Sequence, residues 1–471
     1  MEDEFKELSS QYSHQFARCR TGGRQASVGC STKFSSYSSM RRFFIQVLSL
    51  VVMVASFGCA QSLIGENPPT DNPVFPTGVA VHPNGGYLAV VSSNFDGRFN
   101  RGALLLAPLE EIHNVLADVT DGQPIHIDNP FSAAAYIPTF GHFPVFTPNG
   151  ERMILATRKE NLLLDVGVEE SGDNLLFDCP TKEGENVPDC ESAPYALSLP
   201  GNDPYDLILT SQSESEIRGV VSFLAHHEVM PFTIALDRDG DDRFKIDSSN
   251  IVDLGEDVLG VQAMLKLPGT SFVVLAVERT LIENTTLRAI ELVAFDLERG
   301  AQAPLAVTEL DGLVGVQGIR SMAISPDSNS LLVLTRYPDG IVRFDIGDES
   351  TPQLTFSGQM ETCSSPSRLL PSRLTRGNGS VVDRIFLTCF DDDAVVVIEP
   401  NALTVTDEVR FLGEGPFGLA IDQSGDIPLL FVSYFTNHRI GIFHLLDDEG
   451  EARLLPKGEI GTAESDDPFA L

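Results

Sequence analysis

The stretch "DRDGDDRFKID", which begins at Asp237, holds the side chains most suited to a metal. Asp237, Asp239 and Asp241 alternate as the oxygen ligands of a calcium loop do, and Asp247 follows. Such a loop wants Gly at its sixth place and Glu at its twelfth. Here Asp242 takes the sixth place, Gly240 is displaced and the Glu is missing. A solvated acidic turn is the expected reading and calcium the alternative. His226 and His227 are adjacent. On a strand, neighbouring side chains point to opposite faces, so the two do not readily share one ion. No G-x-S-x-G elbow, H-E-x-x-H, phosphate loop or dinucleotide fingerprint occurs in the sequence. Apart from that calcium, no cofactor is expected.

The chain has seven cysteines. Cys19 and Cys30 precede an apolar segment, and Cys59 ends it. Cys179, Cys190, Cys363 and Cys389 remain, an even number, as expected of disulfides in an exported chain. Cys179 and Cys190 bracket a polar loop, "CPTKEGENVPDC". Cys363 precedes one expected strand and Cys389 ends the next, so these two can meet across neighbouring strands. A zinc site is the alternative, but no C-x-x-C pair is present.

These residues must be positioned by short strands. "MAISPDSNSLLVLTRYPDGIVRFDI", from Met322 to Ile346, reads as three apolar runs separated by a Ser-Pro-Asp turn and a Tyr-Pro-Asp-Gly turn. Related units start at Phe75, His142, Pro204, Gln262, Pro366 and Pro416. That makes seven units at a spacing of roughly 50 to 60 residues, a period that marks propellers and solenoids. A three-stranded sheet is marginal alone. Radial stacking buries each sheet against its neighbours and shields its edges. A fourth, outer strand per unit is expected in the connectors, for example around "DEVRFLG" and "ARLLPKGEIG". The segment from Glu169 to Asp203 reads as an acidic insertion between the second and third units.

In a propeller the first strand of each unit lines the channel. Aligning the seven units on that strand places Thr77, His142, Tyr205, Gln262, Arg320, Ser367 and Phe417 at one level. The next level holds Gly78, Phe143, Asp206, Ala263, Ser321, Arg368 and Gly418. Only part of each level points inward, since side chains alternate. The set collects His142, Arg320 and Arg368 with a single carboxylate, Asp206. Two readings follow. Arg and Asp pair across the channel, or the two guanidiniums hold an anionic group of a small ligand or a partner's loop, with Gln262 beside them and Tyr205 and Phe417 as flat apolar contacts.

The stretches "PTGVAVHPNGGYLAVVSSN", "GIRSMAISPDSNSLLVL" and "GPFGLAIDQSGDIPLLFVSYFTNHRIGIF" resemble the YVTN-type seven-bladed β-propellers, especially bacterial lipoproteins of that build. The resemblance covers most of residues 75–463 and implies an all-β propeller of four-stranded antiparallel blades. It is weak for activity, since propellers host many unrelated functions. A binding or scaffolding module is the first expectation. The alternative is a lactonase-like hydrolase with a metal in the channel.

"MRRFFIQVLSLVVMVASFGCAQS" begins at Met40. Arg41 and Arg42 precede an apolar run from Phe43 to Phe57, which is short for a membrane span of roughly 20 residues. Gly58 followed by Cys59 resembles the lipobox of bacterial lipoproteins, with Ser56 where that motif usually has Leu. The resemblance implies cleavage before Cys59, acylation of it, and anchoring in the bilayer. Ala60 in place of Asp implies the outer membrane of a Gram-negative cell envelope. An ordinary cleaved signal and an uncleaved anchor are the alternatives. Residues 1–39 then read as an extension ahead of the true start, 40–58 as the signal, 59–74 as a flexible tether and 464–471 as a frayed tail.

The balance of 67 acidic against 32 basic residues gives a net charge of −35. Such a surface repels nucleic acid and anionic head groups, which leaves an envelope protein or a small anionic ligand as the expected partner.

Overall fold

The computed structural model describes residues 65–461, except 118, 120–123, 172–173, 237–242, 247–250, 281–287, 300, 304–305, 309–314, 348–352, 376–378 and 449–450. Seven sheets follow one another along the chain as the blades of an all-β propeller, each of four antiparallel strands with short additions. The innermost strands are Pro76–Val81, Val145–Phe146, Pro204–Gln212, Val258–Lys266, Gly318–Ile324, Pro366–Thr375 and Pro416–Asp422. Four of them begin with Pro, which lacks a donor and is tolerated as a strand's first residue. The stretch from Met322 to Ile346 belongs to blade 5, whose strands are Gly318–Ile324, Ser330–Arg336, Gly340–Ile346 and Gln353–Glu361. Its first turn closes locally: Ser325 Oγ meets Asp327 Oδ1 at 2.5 Å, and Ser330 N donates to Ser325 Oγ at 2.9 Å.

Why the sheets stack is visible in one strand of blade 1. Leu88 and Val90 of Tyr87–Ser92 join the core shared with blade 7. Ala89 and Val91, on the other face, join the core shared with blade 2. The same division repeats around the ring, and among the described residues seven apolar clusters fill the seven spaces between neighbouring blades. A fully buried Leu, Phe or Val contributes about 1.5–3 kcal/mol. No blade can collect that term without both neighbours.

The expected outer strands form as Thr404–Arg410 and Glu451–Ile460. The segment from Glu169 to Asp203 lies elsewhere than expected. It belongs to blade 2, where Asn174–Phe177 pairs with the extended third strand Leu162–Ser171, and Ala196–Ser198 is the fourth strand. The reason is length: the third strand runs past the sheet, and the chain must return before it can add the outer strand. Cys179 and Cys190 are bonded within this excursion, with Cα atoms 5.2 Å apart. Cys363 and Cys389 are also bonded, with Cα atoms 5.8 Å apart, and tie the entry of blade 6 to its second strand.

Among the described residues two strands are donated across blade boundaries. Ile125–Ile127, which follows the helix Leu109–Ala117, pairs in parallel with Glu451–Ile460 of blade 7. Ala306–Thr308 pairs in parallel with Gln353–Glu361 of blade 5. The helix buries Leu109, Ile112 and Leu116 between blades 7 and 1, and Glu110 and Glu111 suit the positive end of its dipole. His113 Nε2 meets the buried Asp422 Oδ2 at 2.6 Å. Between Glu66 and Val74 the expected tether is seated on blade 1: Asn100 N donates to Glu66 O at 3.0 Å and Val74 N to Ser92 Oγ at 2.9 Å. Residues 1–64, with Cys59, lie outside the described residues. Among the described residues no helix is long and apolar enough to cross a membrane.

Candidate functional site

The aligned channel residues share a structural feature. Against its neighbour, each inner strand carries one extra residue at their level. In blade 1, Pro76 opposes Ser92 and Gly78 opposes Val91, which leaves Thr77 as the bulge. The same slip encloses Tyr205 and Asp206, Gln262, Arg320, Ser367, and Phe417 with Gly418. In blade 2, Gly141 opposes Thr157 and Val145 opposes Ile154, so His142 lies in the stretch that gains a residue. A bulge breaks the alternation and re-aims a side chain away from the sheet faces. At this level the faces are already taken by the cores, and the axis is the remaining space.

Several of these residues stitch blades together. Thr77 Oγ1 donates to Gly141 O at 2.7 Å. Asp206 Oδ2 accepts from Met264 N at 2.7 Å, and its Oδ1 accepts from Leu207 N at 3.0 Å. Gln262 Oε1 accepts from Ile319 N at 2.6 Å, while its Nε2 donates to Glu278 Oε2 at 2.7 Å. Backbone amides near the axis have no further strand to pair with, and these side chains satisfy them. The Arg–Asp hydrogen bond expected across the channel is therefore absent among the described residues, because Asp206 is engaged with backbone. Burial pushes its carboxyl up, against the opposing pull of Arg368 and the two amides.

A stack crosses the axis from three blades. The Arg368 guanidinium lies 4.0 Å above the Phe143 ring, and Phe143 stacks on Phe417 at 5.7 Å with 6° between the planes. The His142 ring contacts Phe143 at 4.4 Å and Tyr205 at 4.5 Å. His142 is 6% exposed, and its Nε2 has no hydrogen-bond partner among the described residues. Burial, then Arg158 and Arg368, hold its pKa well below the ordinary 6.5, so the imidazole is neutral at pH 7. Arg158 is itself paired with Asp203 at 2.5 and 2.9 Å. Arg320 and Arg368 differ from it. Both are half-buried, and among the described residues neither forms an ion pair or hydrogen bond.

The sequence reading missed an aromatic cluster around this level. Phe435 contacts Phe75 at 5.1 Å, Phe95 at 5.2 Å and Phe390 at 6.1 Å, and Phe95 contacts Phe140 at 5.3 Å. A signal was present: Phe390 and Phe435 each follow the last residue of a second strand. Phe75 and Phe140 precede inner strands with φ of 44° and 56°, a left-handed conformation unusual for a bulky residue. Asp237, Asp239 and Asp241 lie outside the described residues. Among the described residues no three His, Cys, Asp or Glu are grouped to hold a metal ion.

No known protein family matches the chain, and no curated protein matches it. Among solved structures it is similar to hydrazine synthase of Kuenenia stuttgartiensis, at 10% identity and a TM-score of 0.52, over 83% of this chain and 100% of that one. It is also similar to the β-propeller domain of Cps50 (Swd1) from Myceliophteria thermophila, at 10% identity and a TM-score of 0.51, over 80% of this chain and 99% of that one. At such identity the likeness shows the propeller fold alone.

Proposed function

We propose that this propeller is a binding or scaffolding module of the cell envelope, tethered to a membrane through an acylated Cys59, and that its channel mouth takes an anionic group. The observation that carries the mouth is the state of Arg320 and Arg368. In a chain with 67 acidic residues, two half-buried guanidiniums form no ion pair or hydrogen bond among the described residues, although Arg368 lies near enough to pull on the charge of Asp206. A guanidinium binds a carboxylate through two parallel hydrogen bonds, which gives orientation as well as energy. Phe417 and Tyr205 supply flat apolar contact beside them. The group is a carboxylate of a small ligand or of a partner's loop.

The test is binding of small carboxylates and of envelope fractions to wild type, Arg320→Ala and Arg368→Ala. Each charge-assisted hydrogen bond is worth about 1.5–3 kcal/mol, so each variant should bind about 10- to 100-fold more weakly. Binding equal to wild type in both, at unchanged thermal stability, would overturn the reading of the mouth. The anchoring rests on the signal-like segment ending at Cys59 and has its own test. Cys59→Ala should leave the membrane pellet after a salt wash, and a variant that still pellets defeats the lipid anchor.

A further inference from the structure

At the far ends of the inner strands, away from the mouth, blades 3 and 4 part to leave a cleft of about 920 Å³. Small-molecule sites occupy roughly 300–1,000 Å³. The wall from blade 3 is one rung of its sheet. Ser211 opposes Arg218, Arg218 opposes Thr233, and Thr233 opposes Lys245. Directly opposed residues share a face. With strands about 4.8 Å apart, Arg218 and Lys245 stand roughly 10 Å apart on that face, with the Thr233 hydroxyl between them.

The wall from blade 4 brings Lys266, whose Nζ reaches across to donate to Thr210 O at 3.2 Å. An ammonium has three donors, so two remain for another acceptor. Arg218 is held by Glu216 at 2.7 Å, and Glu298 lies on the lining. Among the described residues neither Lys245 nor Lys266 meets a carboxylate. The cleft thus gathers three cations in a chain that carries only 32 basic residues. Two of them share a rung, two strands apart, and of these Arg218 has its charge met by Glu216. Hydroxyls of Thr270 and Ser271 stand at one end, donating to Leu267 O and Asp296 Oδ1, and the half-buried Pro231 and Leu297 give the lining apolar surface.

We propose that this cleft binds a polyhydroxylated anion, a sugar carrying a carboxylate or a phosphate. Lys266 holds the anionic group, and Lys245, further out on the facing wall, adds its charge from a distance. The Ser211 and Thr233 hydroxyls exchange hydrogen bonds with the ring hydroxyls, those of Thr270 and Ser271 accept from them, and the apolar lining takes the less polar face of the ring. The proposal is independent of the mouth.

Calorimetric titration of the full chain at fixed ionic strength tests it, with D-glucuronate, glucose 6-phosphate, glucose and inorganic phosphate as probes. One or both sugar anions should bind, and glucose and inorganic phosphate should bind at least tenfold more weakly. Lys266→Gln should weaken the sugar anion tenfold or more and Lys245→Gln several-fold, at an unchanged thermal midpoint, while Arg320→Ala leaves it as in wild type. No binding of either sugar anion overturns the proposal. So does inorganic phosphate binding as tightly as the sugars, which would mark a general anion site, and so does a Lys266→Gln variant that binds like wild type.

Discussion

His142 shows how the axis constrains one side chain. Its ring is enclosed by Phe143 and Tyr205, its Nε2 lacks a partner among the described residues, and two guanidiniums face it. Protonation would place a third cation among them. An unfolded histidine titrates near pH 6.5, and here the folded value lies well below that. The imidazole therefore contributes its full stabilisation above about pH 6.5 and loses it as pH falls from there towards the folded value. Asp206 has the opposite sign. Burial raises its folded pKa, so the cost of its charge is present above that pKa and relieved as pH falls through it. His142→Phe, which suits the aromatic surroundings, should flatten the loss of stability between about pH 6.5 and 5 in denaturant unfolding. An unchanged slope would assign that loss to other groups.

The disulfide from Cys363 to Cys389 acts on an element, the entry to blade 6. Cys389 opposes Pro366 in register, and Ser364 N and Ser365 Oγ, between the two cysteines in the fold, are held by Asp392 and Asp391. Cys363→Ser should cost about 2–4 kcal/mol in non-reducing denaturant unfolding. Free thiols at both positions in unreduced protein would contradict the bond. The blades were readable in the sequence because each repeats alternating apolar runs around turns of Pro, Asp, Asn and Gly. The channel level was readable for the same reason, since aligning the repeats found the bulged stretch in every blade. What Asp206 and Gln262 do there was not readable. It depends on which amides of the next blade lack a partner, and only the closed ring decides that. The donated strand Ile125–Ile127 was hidden too, because three residues carry no period and its partner is distant in sequence. The rung from Ser211 to Lys245 needs the register of four strands, which no single strand's pattern specifies.

At the scale of the molecule, every core is shared between two blades, so stability belongs to the closed circle. Closure rests on the contact of blades 7 and 1, on the helix Leu109–Ala117 and on the strand after it. Ile125→Asp with Ile127→Asp should remove about 2–5 kcal/mol, from buried apolar surface and lost pairing, and admit proteolysis near the helix. A double variant with the wild-type thermal midpoint would show that the donated strand is dispensable. This strand also sets a clock. Gly458 and Ile125 are partners more than 300 residues apart. At a synthesis rate of about 5–20 residues per second, the early strand waits about 15–60 s for its mate. During that interval blade 1 has an open flank and an unpaired edge, a template for the wrong neighbour. Whatever escorts the nascent chain must shelter that edge until the last blade arrives.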